Sequence, residues 1–397
     1  MKSYIELFWI FLKLGCTSFG GPIAHIGFFH HEFVHQRKWL SDSEFSRLVT
    51  LCQILPGPAS SQLGMSIGYM KNQHFGSFLA WLGFTLPSAI IMFLLALSTT
   101  SLSKIMNHHF FHALKIIAVI VVAHALFGMI KSCLKDKISI SVALMSTIFM
   151  LIMNHLIYSQ IVIIMTAAIL GFFIFKKDEV RTETKLFTGL NYSFKFFTSV
   201  YFLGLLLSFL ILCFISPNSI IGIGLKFYQI GSLVFGGGHV VLPLIQSNIV
   251  NTQLLNLNDF LTGYGFAQII PGPMFTISTY VGAQAFLKST PFWGALISTL
   301  AIFLPSFIVL FAVLPIWSRL HLSPKVNNIF NTINSAVIGL LAATYITPIA
   351  SSGLYYGIDY LITAIGIYAL IFNKIKMVSL AFYILLFYGC ISILSLI

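Results

Sequence analysis

The sequence predicts an all-α integral membrane protein of two homologous halves, each with re-entrant half-helices broken by Gly and Pro, together with about nine full spans. Three observations carry that expectation. Hydrophobic residues make up 58% of the 397 residues and charged residues 8%, against roughly 25% charged in a soluble domain. Apolar runs long enough to cross a bilayer recur along the chain. Finally, Leu55-Pro56-Gly57-Pro58 returns as Ile270-Pro271-Gly272-Pro273, each about 35 residues after a glycine cluster, Phe19-Gly20-Gly21-Pro22 or Phe235-Gly236-Gly237-Gly238.

Taken in order, the long runs are 77–103, 116–130, 138–153, 159–175, 196–216, 291–318, 329–351, 354–373 and 377–397, and Asp359 is the one charge inside them. Each reads as a membrane helix. The runs around the breakers are shorter: 4–18, 23–34, 45–55 and 59–70, with counterparts 220–234, 240–250, 260–270 and 274–286. At about 1.5 Å rise per residue they reach only about 16 to 23 Å, short of a hydrocarbon core of about 30 Å, so half-helices in hairpins fit better than spans. Residues 1–14 contain Glu6 and Lys13 and lead into no small-residue cleavage site, so a removed signal peptide is not expected. Cys16, Cys52, Cys133, Cys213 and Cys390 are too scattered for a disulfide framework or a metal pair.

The halves align in order and spacing. Gln53-Ile54 matches Gln268-Ile269, and Phe84-Thr85-Leu86-Pro87-Ser88 matches Ile302-Phe303-Leu304-Pro305-Ser306. This predicts a first repeat at 1–175, a linker loop and extra helix at 176–217, and a second repeat at 218–397. An extra crossing at 196–216 inverts everything after it. Most of the 22 Lys and Arg then fall on one side, including Lys131, Lys135, Lys137, Lys176, Lys177, Arg181, Lys185, Arg319 and Lys374. That side is the cytoplasmic one, and the net charge of +12 reads as membrane-border lysines and arginines rather than a nucleic-acid surface.

At the breakers, proline removes a donor and glycine admits unusual dihedrals, so a helix stops and restarts, leaving free N–H groups at the positive end of a helix dipole. Such an end takes anions. Four tips meeting at the midplane, Gly20-Gly21-Pro22, Pro56-Gly57-Pro58, Gly236-Gly237-Gly238 and Pro271-Gly272-Pro273, form the expected substrate site, with Gln53 and Gln268 as side-chain donors. The alternative reading of the breakers is kinks or tight helix crossings.

The strings Phe19-Gly20-Gly21-Pro22-Ile23-Ala24-His25-Ile26, Glu32-Phe33-Val34, Arg37-Lys38-Trp39-Leu40-Ser41 and Gln53 to Pro58, with Phe235 to Leu244 and Gln268 to Pro273 in the second half, resemble the chromate ion transporter family in its long, two-domain form. The likeness covers almost the whole chain. It departs at Gly68-Tyr69-Met70-Lys71, where a basic residue directly after Gly-Tyr is the family habit. The resemblance implies a multi-pass secondary transporter of the bacterial inner membrane that moves divalent oxyanions, chromate outward in the first instance, with no enzymatic activity, no cofactor and no metal. A sulfate or other anion transporter, or a channel, is the alternative.

Among the other polar residues, His25 and His239 follow the glycine clusters and are candidate proton carriers for a coupling ion. Glu32 and Arg37 are candidate gate residues in a mixed-charge loop, with Trp39 as a membrane anchor. Lys115 is expected to snorkel to the outer border. Asn107, His108, His109 and His112 read as exposed loop residues. His31-Glu32-Phe33-Val34-His35 matches a zinc-hydrolase pattern, but the resemblance accounts for Glu32-Phe33-Val34 without zinc. A homodimer is compatible with these features, and the lipid bilayer is the expected surrounding.

Overall fold

The computed structural model describes residues 2–105, 108–153, 159–173, 194–235, 238–314, 324–372 and 375–394. The linker with Lys176, Lys177, Arg181 and Lys185, the tip residues Gly236 and Gly237, and Asn107, Arg319 and Lys374 lie outside the described residues.

The described residues are helical throughout, apart from turns and short connections. The first half holds α1 (Lys2–Thr17), α2 (Gly21–His30), α3 (Asp42–Ile54), α4 (Ala59–Ile105), α5 (His108–Cys133), α6 (Lys137–Ile152) and α7 (Ser159–Phe173). After α8 (Phe194–Leu212) come α9 (Ile220–Leu233), α10 (Val241–Ile245), α11 (Leu257–Ile269), α12 (Ile277–Ala285), α13 (Pro291–Val313), α14 (Pro324–Thr344), α15 (Gly357–Ile371) and α16 (Met377–Leu394). Runs 59–70 and 77–103, expected as separate segments, are separated as expected within the element Ala59–Ile105. It is interrupted at Asn72 (φ −142°) and Gln73 (φ 51°), where the backbone leaves the helical region and the chain turns.

Four helical elements among the described residues are long and apolar enough to cross a membrane: Ala59–Thr99, which the turn at Asn72 and Gln73 divides, His109–Cys133, Pro291–Val313 and Asn328–Gly353. Other apolar helices are shorter. Large apolar side chains point outward along α6, α7, α8, α15 and α16, among them Leu144, Met145, Phe173, Leu206 and Phe382. A soluble protein could not tolerate that surface; lipid can. The stretch 113–122 of α5 is the opposite case, buried on every face, with Leu114, Ile116, Val119 and Val122 at 0% exposure, as a helix segment at the centre of a bundle must be.

The halves interlock. Within each half the opening helix packs on the proline-containing one, α1 on α4 and α9 on α13. Across halves, the α6–α7 pair packs on α14, and α15 and α16 pack on α5. Close backbone approach permits this: a Cβ on Gly15 would lie 2.6 Å from the Phe84 carbonyl oxygen, and one on Gly171 would lie 2.7 Å from Ile329 Cα. Small residues at helix crossings let dispersion replace the missing hydrophobic drive between helices in lipid.

Two elbows share one backbone pattern. A π-helical turn, His31–Gln36 or Gln246–Val250, is followed by a positive φ at Lys38 (52°) or Gln253 (59°). A polar N-cap then opens the next helix, Ser41 with Glu44 for α3 and Asn256 with Asp259 for α11. In the first, Ser41 N–H donates to Glu44 at 2.8 Å and Glu44 N–H donates to Ser41 Oγ at 3.3 Å. The Ser41 N–H, together with the Ser41 hydroxyl 2.7 Å from the same oxygen, donates to the Glu44 carboxylate and holds it below the usual carboxylate range.

Candidate functional site

The two Pro-Gly-Pro turns are where the halves touch most specifically. Gly57 N–H donates to the Val234 carbonyl at 2.7 Å, and Gly272 N–H donates to the Ser18 carbonyl at 2.9 Å. Each tip therefore docks on the end of the opening helix of the other half, not of its own. Serines follow the same rule. A Cβ on Gly57 would strike Ser306 Oγ from the second half, and a Cβ on Gly272 would sit 2.7 Å from Ser88 Oγ in the first. Both glycines also hold positive φ, 123° and 95°, a conformation that any Cβ strains.

Why Ser88 and Ser306 stand there follows from the sequence around them. Pro87 and Pro305 lie inside α4 and α13, where the ring removes one intrahelical bond. The serine after each proline therefore stands where the helix lacks that bond, and both are fully buried.

The opening tips converge on the same place. Gly20 (φ 97°) caps α2, with Pro22 in its first turn. A Cβ on Gly238 would lie 3.0 Å from Pro22 Cγ and 3.4 Å from Met274 Cε, and one on Gly21 would lie 3.9 Å from Met274 Cε. Pro56, Gly57, Pro58, Gly272 and Pro273 are buried, while Gly20, Gly21, Pro22 and Pro271 are partly exposed.

The donors around the tips are mostly side chains that sequence reasoning did not single out. Gln62 is fully buried and donates through Nε2 to the Pro56 carbonyl at 2.7 Å, leaving Oε1 without a partner. The hydroxyls of Ser18, Ser61, Thr85 and Ser306 are buried without hydrogen-bond partners. Buried polar groups are nearly always paired, so such a concentration requires an explanation. The repeated Leu-Pro-Ser was the available signal in the sequence; the serines at 60 and 61 had none beyond following a Pro-Gly-Pro.

The glutamines expected to act as a pair part company. Gln268 is buried, with Nε2 3.5 Å from Met274 Sδ, whereas Gln53 is exposed on α3. In the first half the amide beside the tip is Gln62, which follows the turn rather than preceding it. The histidines also differ. His25 is buried, its Nδ1 3.3 Å from Ser60 Oγ at the start of α4. His239 Nδ1 lies 2.7 Å from the Tyr264 hydroxyl on α11.

Glu32 and Arg37 lie away from the tips, at the first elbow. Arg37 Nε donates to Glu32 Oε1 at 2.6 Å and Nη1 to Glu6 at 3.3 Å. Trp39, expected as a membrane anchor, is partly buried; it stacks on buried Phe33 with ring centroids 5.3 Å apart, and Lys71 Nζ sits 4.3 Å from its ring centre. His112 is not an exposed loop residue. It is buried, with Nε2 3.0 Å from Asp359, which also accepts from Tyr388 and from the Tyr355 and Tyr356 N–H groups. A buried carboxylate in an apolar bundle needs such donors, and the nearest strong one is on α5.

The tip strings contain no Asp, Glu, Lys or Arg. What they offer is helix-start N–H groups and hydroxyls, a set of neutral donors that suits an acceptor-only ligand such as an oxyanion.

A profile of the chromate transporter family matches residues 5–172 and 221–393. The chain is 27% identical to an uncharacterized transporter of Methanocaldococcus jannaschii, over 87% of this chain and 84% of that one. It is also 27% identical to a probable chromate transport protein of Synechococcus elongatus, with the same coverages, and 24% identical to a chromate transport protein of Pseudomonas aeruginosa, over 87% and 80%. No solved structure matches significantly. These matches, with the apolar helices, make the chain a multi-pass membrane protein.

Proposed function

The chain belongs to the chromate transporter family, and from that premise we propose that it is a secondary transporter that moves chromate outward across a bacterial inner membrane, binding it at the interlocked tips. One observation carries the site: each Pro-Gly-Pro turn is held by the other half, Gly57 on Val234 and Gly272 on Ser18, amid buried hydroxyls without partners. An oxyanion there would accept hydrogen bonds from Ser18, Ser61 and Ser306, from the helix start after Pro58, and from the Gln268 amide. Because those donors come from both halves, binding favours the closed arrangement, and release requires the tips to separate.

In this reading the repeats 1–175 and 218–397 are inverted by the extra helix of 176–217, the eight short helical stretches around the breakers are re-entrant half-helices, and about nine other helices span the bilayer. Inversion would let one tip face the cytoplasm as its counterpart faces outward, the arrangement that alternating access needs. His25, one hydroxyl away from the α4 start, is the better placed proton carrier for a coupling ion. Glu32 with Arg37 is a latch at the cytoplasmic elbow. Sulfate competes as a ligand of the same shape and charge, and a homodimer is compatible with the apolar outer faces.

Counterflow in proteoliposomes tests this, with chromate, sulfate and an imposed proton gradient varied in turn. Saturable chromate counterflow that sulfate inhibits is expected. Correctly inserted protein that exchanges neither anion would overturn the function, and steady conductance in electrical recordings would replace the transporter with a channel.

A further inference from the structure

The two elbows have the same backbone and different charge. At the first, Arg37 lies between two carboxylates, Glu6 and Glu32. At the second, two lysines reach the elbow from separate helices and meet only neutral oxygens. Lys226 on α9 donates to Thr252 Oγ1 at 3.0 Å, and Lys115 on α5 donates to Asn258 Oδ1 at 2.7 Å. Their acceptors are six residues apart, on either side of the Asn256 cap. Both lysine side chains are largely covered, at 5% and 7% relative exposure, and neither makes an ion pair among the described residues. Asp259, the nearest acid in the elbow, accepts from Asn256 Nδ2 at 2.6 Å.

An ammonium group carries three donors. With one spent on Thr252 or Asn258, each lysine keeps two, in surroundings where an uncompensated charge is costly. Lys115 is further stabilised by the Tyr355 ring, 5.8 Å from Nζ; Lys226 has no such aid among its recorded contacts. Thr252 Oγ1 donates its own proton to the Asn248 carbonyl, which fixes its lone pairs toward the lysine. The lysines are therefore oriented and short of acceptors at the mouth of the hairpin that ends in Pro271-Gly272-Pro273.

We infer that Lys115 and Lys226 form a second oxyanion site beneath this elbow, taking a tetrahedral divalent oxyanion on its way between the outer solution and the tips. The inference rests on the transport reading above. In the inverted arrangement this elbow faces outward, and it is the positively charged station that the neutral tips lack.

The test uses the full-length protein in nanodiscs of zwitterionic lipid, with radiolabelled sulfate as the probe and chromate as competitor. Wild type is expected to bind sulfate in two saturable components. Lys115→Met/Lys226→Met removes one, weakening it about tenfold or more, the scale of losing charge-assisted bonds. Lys115→Arg/Lys226→Arg retains it, which separates charge from packing and controls for folding. Gly57→Ala perturbs the other component. Two unchanged components in the double methionine variant would overturn the inference while leaving the transport reading intact; no sulfate or chromate binding by wild type would overturn both. Repeating the titration in anionic-lipid discs identifies the source of the oxyanion: if the lysine-dependent component is lost there, lipid phosphate occupies the same site, and if it persists, the ligand is the free anion.

Discussion

Gly57→Ala should abolish transport, and the geometry says by how much and how it can be rescued. The added Cβ would lie 2.7 Å from Gln62 Nε2, would overlap Ser306 Oγ, and would occupy a backbone at φ 123°. Overpacking of a buried site costs about 1–3 kcal/mol, and holding a Cβ in this region of dihedral space about 1–3 kcal/mol more. The sum of about 2–6 kcal/mol, at 1.4 kcal/mol per factor of ten, lowers the population of the closed tip by a factor of about 30 or more. Ser306→Ala removes the overlapping oxygen and leaves Ser306 Cβ 3.3 Å from the new methyl, so the double variant should regain the Ser306 share of the steric cost and retain the Gln62 contact and the dihedral part. At the partner tip, Ser88 Cβ lies 2.9 Å from the Cβ position of Gly272, so Ser88→Ala should rescue Gly272→Ala less well. Chromate counterflow, with insertion checked by gel filtration and thermal unfolding, reads these differences. Wild-type rates in well-folded Gly57→Ala, or equal rescue at the two tips, would refute the crossed docking on which the site rests.

Other consequences can be measured separately. Ser41→Ala removes the cap of α3 and should lower stability by about 1 kcal/mol. Because the folded-state pKa of Glu44 is depressed, its contribution is present above the ordinary carboxylate pKa and fades as pH falls through the folded value, so the variant and wild type should converge in acid thermal melts. Arg37→Leu leaves Glu32 largely buried beside an apolar side chain and should cost about 1–3 kcal/mol, after allowance for the partial exposure of Arg37; pairing it with Glu32→Leu should restore much of that in a double-mutant cycle, and simple additivity would argue against the pair. Asp359→Leu strands the Tyr355 and Tyr356 N–H groups, the Tyr388 hydroxyl and His112, and should lower the melting free energy by about 3 kcal/mol, loosening α15 and α16 from α5 in hydrogen exchange. An Asp359→Leu protein as stable as wild type would contradict that account.

Composition and hydropathy were enough to read the solvent, since no chain with so few charges can fold around a soluble core. The breakers and the repeated Leu-Pro-Ser strings were legible for a local reason: proline and glycine act on the residues beside them, so their effect on the helix can be read without a neighbour. The eight short runs correspondingly coincide with the observed short helical stretches to within a few residues.

What the sequence could not convey was anything that depends on which surfaces meet. That Gly57 bonds to Val234 and Gly272 to Ser18, each across the halves, is a matter of docking between residues well over a hundred positions apart, and no period or propensity encodes it. The same holds for Gln53, exposed although its counterpart Gln268 is buried, and for His112, whose partner Asp359 lies 247 residues away. Local chemistry determined where the helices break and that free donors result. Tertiary packing alone decided that the four breaks converge, which hydroxyls stand around them, and that the second elbow carries lysines where the first carries a compensated arginine.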